Sequence, residues 1–133
     1  MVRLGHVISR RFEATLAAHG LTPRQFAVLA HLIRDPGLGA GALARLVLIT
    51  PQSMGTLLDE VERAGLVVRT PAARGHRRET ALTDIGRARL AAAAPAVVAF
   101  ETEITAMLSA ADRVVTNRAL HTMLNELLAA DDE

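Results

Sequence analysis

The apolar residues in the first part of the chain recur every three or four positions, the spacing that puts them on one face of a helix. A second helix is predicted to begin at Thr22, which can cap it ahead of Pro23, and to stop at Asp35. These patterns predict two amphipathic helices joined by a short turn. The first covers about residues 4–19, and its apolar stripe is formed by Leu4, Ile8, Phe12 and Leu16.

Two further helices are predicted before the middle of the chain. The third covers about residues 39–48. The fourth begins at Thr50 and Pro51, a capping residue followed by proline at the first helical position, and runs to about Ala64. A short helix, a sharp turn and a helix with a small polar start are typical of a helix-turn-helix. One side of the fourth helix is apolar, and the opposite side carries Gln52, Thr56, Asp59 and Arg63, with Ser53 beside them.

The remaining chain is predicted to form a basic hairpin and two helices. Residues 66–70 are typical of a strand, residues 71–78 of an arginine-rich turn, and residues 79–82 of a returning strand. Thr83 and Asp84 are predicted to cap a long helix from Ile85 to about residue 108, with Pro95 inside it, where a proline kinks or breaks a helix. Ser109 and Asp112 have the spacing of a capping box at the start of a last helix, which ends near residue 130. The expected fold class is therefore mainly α, with a small β-hairpin.

The composition narrows the class of protein further. The 133 residues suit a single domain, residues 1–133, and half of them are hydrophobic although only three are aromatic, so the core must be aliphatic. The absence of cysteine excludes disulfides, thiolate zinc sites and a cysteine redox sensor. No signal-peptide pattern and no apolar run of about 18 residues occurs, which favours a soluble cytoplasmic protein without a membrane partner.

The net charge is only +1, but the charge is unevenly distributed. Residues 63–90 carry seven arginines against Glu79 and Asp84, net +5, whereas residues 91–133 carry two arginines against seven acids, net −5. A basic segment beside an acidic one indicates an anion-binding element in the middle of the chain. All fifteen basic residues are arginine, for which a GC-rich genome is the simpler explanation.

The predicted helix-turn-helix and hairpin suit binding to DNA. Gln52, Ser53 and Thr56 are compact side chains that can donate or accept hydrogen bonds at base edges. Thr50 begins the same helix, whose unpaired backbone N–H groups favour a phosphate. The hairpin tip suits the adjacent minor groove or the phosphate backbone. Its candidate DNA-binding residues are Arg74, His76, Arg77 and Arg78.

Four stretches of the chain resemble, in their order and spacing, regulators of the MarR family. Residues 21–29, LTPRQFAVL, are similar to the second helix of these regulators, and residues 41–53 to their helix-turn-helix. Residues 57–67 resemble the recognition helix as it enters the wing, and residues 82–86, LTDIG, resemble the step out of the wing. The resemblance covers nearly the whole chain.

The resemblance implies a homodimer that binds DNA. Family members are joined by their first and last helices, here residues 1–20 and 91–130, and bind DNA with a winged helix-turn-helix, here residues 22–90. The dimer presents two recognition helices to successive major grooves of a palindromic operator.

The resemblance also implies a small-molecule effector. Many family members are repressors released by small phenolic or other anionic ligands, which bind in a cleft between the dimer helices and the DNA-binding lobe. For the histidines here, a structural role is the simpler alternative. The candidate cleft residues are His6, Arg10, Phe26 and His31.

The predicted wing departs from the family pattern. Family wings carry an acidic residue shortly before the arginine that enters the groove, and that acid orients the arginine. Here residues 72–77, AARGHR, contain no acid. Which of Arg74 and Arg77 enters the groove is therefore open.

Other function classes have less support in the sequence. The five histidines show no HExxH or clustered spacing, so no metal or other cofactor is expected, and no grouped nucleophile and base indicate an enzyme. The alternative function is a winged helix used only for dimerisation or protein contact, which leaves the basic hairpin without a role. Pro95 is a candidate hinge between a ligand cleft and the recognition helices.

Overall fold

The computed structural model describes residues 1–71 and 78–131 of the chain. Within these residues the protein is mostly helical with one two-stranded antiparallel sheet, which confirms the predicted fold class. Arg74, His76 and Arg77 of the predicted hairpin tip lie outside the described residues. The elements in chain order are α1 (Val2–Ala17), α2 (Pro23–Arg34), α3 (Ala40–Val47), α4 (Pro51–Arg63), β1 (Val67–Arg69), β2 (Thr80–Leu82), α5 (Asp84–Thr105) and α6 (Ala110–Asp131).

Hydroxyl side chains cap the helices at the residues that the sequence indicates. The Gln25 amide donates to the Thr22 hydroxyl at 3.2 Å, and the Thr22 amide donates to the Gln25 side chain at 3.1 Å, so α2 begins with a complete capping box. Thr50, Thr83 and Ser109 each accept from the amide three residues further on. Each cap contributes about 1 kcal/mol because it satisfies an amide that the helix leaves unpaired.

Helix boundaries differ from the sequence prediction by two or three residues. α1 ends at Ala17 and not near residue 19, because Gly20 takes a left-handed conformation with φ of 68°. The Leu21 amide then donates back to the Leu16 carbonyl at 3.1 Å and closes the helix end. α5 runs as one helix through Pro95 and ends at Thr105, so this proline does not break the helix.

The core of the first unit, Met1–Val97, is aliphatic, as the composition predicts. Helices α2, α3 and α4 supply most of its buried side chains. Because the buried positions of α4 recur at helical spacing, packing determines which face of this helix is turned outward. The fully buried side chains include Leu16, Val28, Leu29, Leu32, Leu43, Met54, Val61 and Leu66.

The second compact unit, Val98–Glu133, contains the end of α5 and all of α6. Many α6 side chains are exposed, among them the apolar Val114, Leu120 and Leu124. These two units are defined by packing within the chain. The sequence prediction divides the chain by function instead, into a DNA-binding lobe, residues 22–90, and dimerisation helices. That functional division stays a prediction.

Thr83 and Gly86 join the end of α4 to the start of α5. The Thr83 amide donates to the Leu66 carbonyl at 3.0 Å, and the Thr83 hydroxyl donates to the Gly65 carbonyl at 2.6 Å. The same hydroxyl accepts from the Gly86 amide at 3.0 Å. A Cβ at position 86 would lie 2.0 Å from the Leu66 carbonyl oxygen, so this close approach requires glycine.

We expect Gly86→Ala to lower the free energy of unfolding by about 2 kcal/mol or more, because the added methyl group must push the backbone of Leu66 away. Urea denaturation followed by circular dichroism measures this change. Gly41→Ala in α3 is the matched control, since a Cβ there meets no atom of the described residues within 4 Å. The control is expected to be neutral or stabilising by up to about 1 kcal/mol. Equal stability of Gly86→Ala and the unaltered protein would contradict the junction.

Candidate nucleic-acid interface

A tight turn joins α3 to α4. From the sequence, Leu48 was predicted as the last residue of the third helix, but α3 ends at Val47 and Leu48 is left-handed, with φ of 59° and ψ of 46°. This conformation costs a residue with a side chain about 1–2 kcal/mol. The Ile49 amide donates back to the Ala44 carbonyl at 3.0 Å, which closes the turn and lets α4 begin at Pro51.

Thr50 orders the first turn of α4. Its hydroxyl accepts from the Ser53 amide at 3.1 Å and donates to the Ser53 hydroxyl oxygen at 2.9 Å. The Thr50 hydroxyl is thus bonded within the protein to both the amide and the hydroxyl of Ser53. Thr50 is therefore suited to holding the turn in place.

Gln52, Ser53 and Thr56 lie together on an exposed face of α4. The Thr56 hydroxyl is directed back along the helix and donates to the Gln52 carbonyl at 3.4 Å. Amide and hydroxyl groups on such a face can form hydrogen bonds with base edges in a major groove. The opposite face is buried and holds the helix in this orientation through Met54, Leu57, Leu58 and Val61.

Backbone pairing organises the base of the wing. Strands β1 and β2 are antiparallel, with Arg69 opposite Thr80. One residue further out, the Thr70 amide donates to the Glu79 carbonyl at 3.0 Å, and the Glu79 amide donates to the Thr70 hydroxyl at 3.2 Å. Arg78, the residue before Glu79, is exposed. Of the candidate DNA-binding residues of the hairpin tip, Arg78 is the one that lies within the described part of the chain.

Arg69 of β1 bridges two acidic residues of α4. Its Nε donates to a Glu62 carboxylate oxygen at 2.9 Å, and one Nη contacts both that oxygen and an Asp59 carboxylate oxygen. The hydrogen bond from Arg69 holds the pKa of Glu62 below its ordinary value, and the bonds to Glu62 and then Asp59 raise the pKa of Arg69. Arg69 and Glu62 therefore form a stable ion pair at neutral pH.

Sequence reasoning missed this cluster. From the sequence alone, Asp59 and Glu62 look like surface charges beside Arg63, and nothing distinguishes Arg69. The sequence does show that Asp59 and Glu62 share one face of α4, because they are three residues apart. It does not show that Arg69 lies against that face, because the position of β1 relative to α4 depends on the turn at Gly65.

The hydrogen bond from Arg69 lowers the pKa of Glu62 most, and the charge of Arg78 lowers it further.

The four predicted cleft residues are spread over two helices. His6 and Arg10 are exposed on α1, and His31 is partly buried on α2. Phe26 packs edge-on against Phe12, with ring centroids 6.4 Å apart, and so contributes to packing between α1 and α2. Arg10 lines a shallow hollow of about 270 Å³ that contains none of the other three. The assignment of these four residues to a ligand cleft stays a prediction.

A larger cavity of about 730 Å³ lies between the end of α1, the start of α2 and α4. Its walls include the apolar Leu21 and Leu57 and also Ser53 and Thr56 of the exposed α4 face. None of the predicted cleft residues lines it. A molecule in this cavity would therefore contact the same helix face that is suited to reading DNA. The charged residues of its lining are Glu13, Arg24 and Glu60.

The described part of the chain, residues 1–71 and 78–131, shows neither of two other kinds of site. In this part of the chain no group of three or more histidine or acidic side chains is arranged to hold a metal ion. Nor does any single helix there have both the length and the apolar composition to cross a membrane, and α5 and α6 reach that composition only when taken together across the bend between them.

Sequence comparison places the chain among known repressors. A family model described as MarR family matches residues 19–79. The chain is 36% identical over 111 residues to the HTH-type transcriptional repressor Rv2887 of Mycobacterium tuberculosis, and the match covers 83% of this chain and 80% of that repressor.

Solved structures of similar proteins include complexes with DNA and with a small molecule. Mycobacterium tuberculosis Rv2887 in complex with DNA is 34% identical with a TM-score of 0.72, and the match covers 92% of each chain. The same protein in complex with salicylic acid also has 34% identity and a TM-score of 0.72, covering 92% of this chain and 91% of that one. The transcriptional repressor CouR bound to a 23-mer DNA duplex is 31% identical with a TM-score of 0.84, and the match covers 92% of this chain and 87% of that one.

Proposed function

Because this chain belongs to the MarR family of transcription regulators, we propose that it is a sequence-specific DNA-binding repressor that works as a homodimer in the cytoplasm. It acts by binding and not by catalysis. The observation that carries the proposal is the outward polar face of α4, formed by Gln52, Ser53 and Thr56. The similar repressors solved with DNA support it.

The exposed face of α4 and the wing have different tasks in this proposal. Gln52 carries a side-chain amide that can pair with adenine through two hydrogen bonds, so it contributes sequence preference. Arg78 carries a positive charge at the base of the wing, so it contributes attraction to phosphates of any sequence. Arg74, His76 and Arg77 are proposed to contribute further to the binding of phosphates of any sequence.

We expect Gln52→Ala to weaken binding to the operator about tenfold and to leave binding to unrelated DNA nearly unchanged. Arg78→Ala is expected to weaken binding to all sequences and to lower the slope of log K against log salt by about 1. Fluorescence anisotropy with DNA from beside the gene, at several salt concentrations, measures both effects. Arg34→Ala on α2 is the control, since it removes the same charge from an exposed position outside both the proposed DNA-binding residues and the proposed dimer interface. Binding by the unaltered protein that is absent, or insensitive to salt, would contradict the function and favour a role in protein contact alone.

The exposed apolar side chains of α1 and α6 support the proposed homodimer. Leu4 is 63% exposed and Leu124 is 47% exposed, and α6 carries further exposed apolar residues at several positions along its length. Exposed apolar surface of this extent is typical of a surface that another chain covers. We propose that residues 1–20 and 91–130 form the dimer interface.

We expect the double change Leu120→Glu and Leu124→Glu to convert the dimer into a monomer, because dimerisation would then bury two carboxylates in an apolar interface. Sedimentation velocity distinguishes the two states by mass. Val68→Glu is the matched control, since Val68 is an apolar residue of β1 that is 53% exposed and lies outside the proposed interface. A double variant that still sediments as a dimer would place the interface elsewhere.

A small-molecule effector is the remaining part of the proposal. The cavity beside α4 includes Ser53 and Thr56 in its lining, so an occupant would change the surface offered to DNA. Arg24 is the basic residue of that lining and suits an anionic group. Salicylic acid, which is bound by the similar protein Rv2887, is a suitable probe.

Salicylate is expected to weaken operator binding by the unaltered protein, and Arg24→Met is expected to abolish this response because the anion loses its cationic partner. The measured quantity is the ratio of Kd with and without salicylate, so any effect of Arg24 on DNA binding itself cancels. Arg10→Met makes the same change among the predicted cleft residues. Loss of the response in Arg10→Met but not in Arg24→Met would favour the cleft of His6, Arg10, Phe26 and His31 over the cavity.

A further inference from the structure

A compact charged cluster joins the recognition helix to the base of the wing. It consists of Asp59 and Glu62 of α4 and Arg69 of β1. The Arg69 side chain is only 13% exposed, whereas the side chains of Asp59 and Glu62 are 54% and 39% exposed. The Arg69 guanidinium is therefore more buried than the two carboxylates it binds, and both carboxylates remain partly exposed to solvent beside α4.

The two acids lie close to the surface that is proposed to meet DNA. Asp59 follows Thr56 by three residues and Gln52 by seven, so these three side chains share one face of the helix. A carboxylate without a positive partner near this face would repel DNA phosphates, and the repulsion would grow as DNA excludes water from the interface.

We propose that Arg69 is a positioning residue for DNA binding: it neutralises Asp59 and Glu62 so that α4 can approach DNA. This inference rests on the proposed DNA-binding function. Arg69 does this by bonding within the protein and not by touching DNA.

The geometry of the cluster requires arginine. Nε and one Nη of the same planar guanidinium are used, the first toward Glu62 and the second toward both acids. A lysine ammonium is a single point charge and cannot reproduce this fork. Arg69 lies in β1, four residues after the turn at Gly65, so these three hydrogen bonds link the base of the wing to α4.

The decisive experiment compares operator Kd values for four proteins. These are the unaltered protein, Arg69→Met, the double variant Asp59→Asn with Glu62→Gln, and the triple variant that combines all three changes. We expect Arg69→Met to bind operator DNA about tenfold more weakly or worse, because two carboxylates are left without their partner. The triple variant is expected to recover to within about threefold of the unaltered protein. The double variant, in which Arg69 has no acid to neutralise, is expected to bind at least as tightly.

Rescue by removal of the acids separates this role from two others. If Arg69 contacted phosphate directly, Arg69→Met would raise Kd by the same factor with the acids present and with the acids removed. If Arg69 only stabilised the fold, the loss of binding in each variant would follow its loss of thermal stability. A triple variant as weak as Arg69→Met would therefore overturn the inference.

Thermal unfolding of each variant is measured in parallel, and Arg69→Lys provides a folded variant that keeps the charge but loses the fork. Arg69→Lys is expected to bind with an affinity between those of Arg69→Met and the unaltered protein, and full affinity in Arg69→Lys would also overturn the geometric part of the inference.

The outcomes also distinguish this inference from the proposed function. If the unaltered protein binds operator DNA and Arg69→Met binds it equally well, the role of Arg69 is wrong and the DNA-binding function stands. If the unaltered protein binds no DNA, both are wrong.

Discussion

The close approach of Gly86 to the Leu66 carbonyl is the constraint on which the rest of the structure depends. After α4 the chain forms the hairpin and then enters α5, where the backbone of residue 86 lies against the backbone of Leu66. This contact leaves no space for a side chain at position 86. The two hydrogen bonds donated by Thr83 then determine where α5 begins. Because β2 immediately precedes Thr83, the same bonds set which residues of the two strands lie opposite one another. The recognition helix, the wing and α5 are thus positioned by one small junction.

The chemistry of the interface depends on residues that bind one another within the protein. The Thr50 hydroxyl bonds to Ser53, and the Arg69 guanidinium bonds to the acids of α4. These bonds orient side chains of α4 that face outward. A surface ordered in this way loses less conformational entropy on binding, because its side chains are already oriented in the free protein. Thr50 holds the first turn of α4 through Ser53, and its predicted contact with DNA stays a prediction.

The predictable part of the fold rests on short-range signals. Thr22, Thr50, Thr83 and Ser109 could be recognised as caps because each bonds to an amide only three residues away. The ends of helices were less predictable, since they depend on how the next segment packs. Leu48 shows this most clearly, because leucine disfavours the left-handed conformation that the turn between α3 and α4 imposes on it. Pro95 was expected to kink or break α5, and the helix continues through it.

The sequence by itself determined the order of helices and strands, the aliphatic core and the outward polar side of α4, because each depends on residue spacing within one element. Only the tertiary structure decided that Asp59 and Glu62 face Arg69, and that a cavity lies against Ser53 and Thr56. These features bring together side chains from separate helices and strands. The distances between such side chains cannot be calculated from the number of residues that separate them in the sequence. The turn at Gly65 and the junction at Gly86 set those distances.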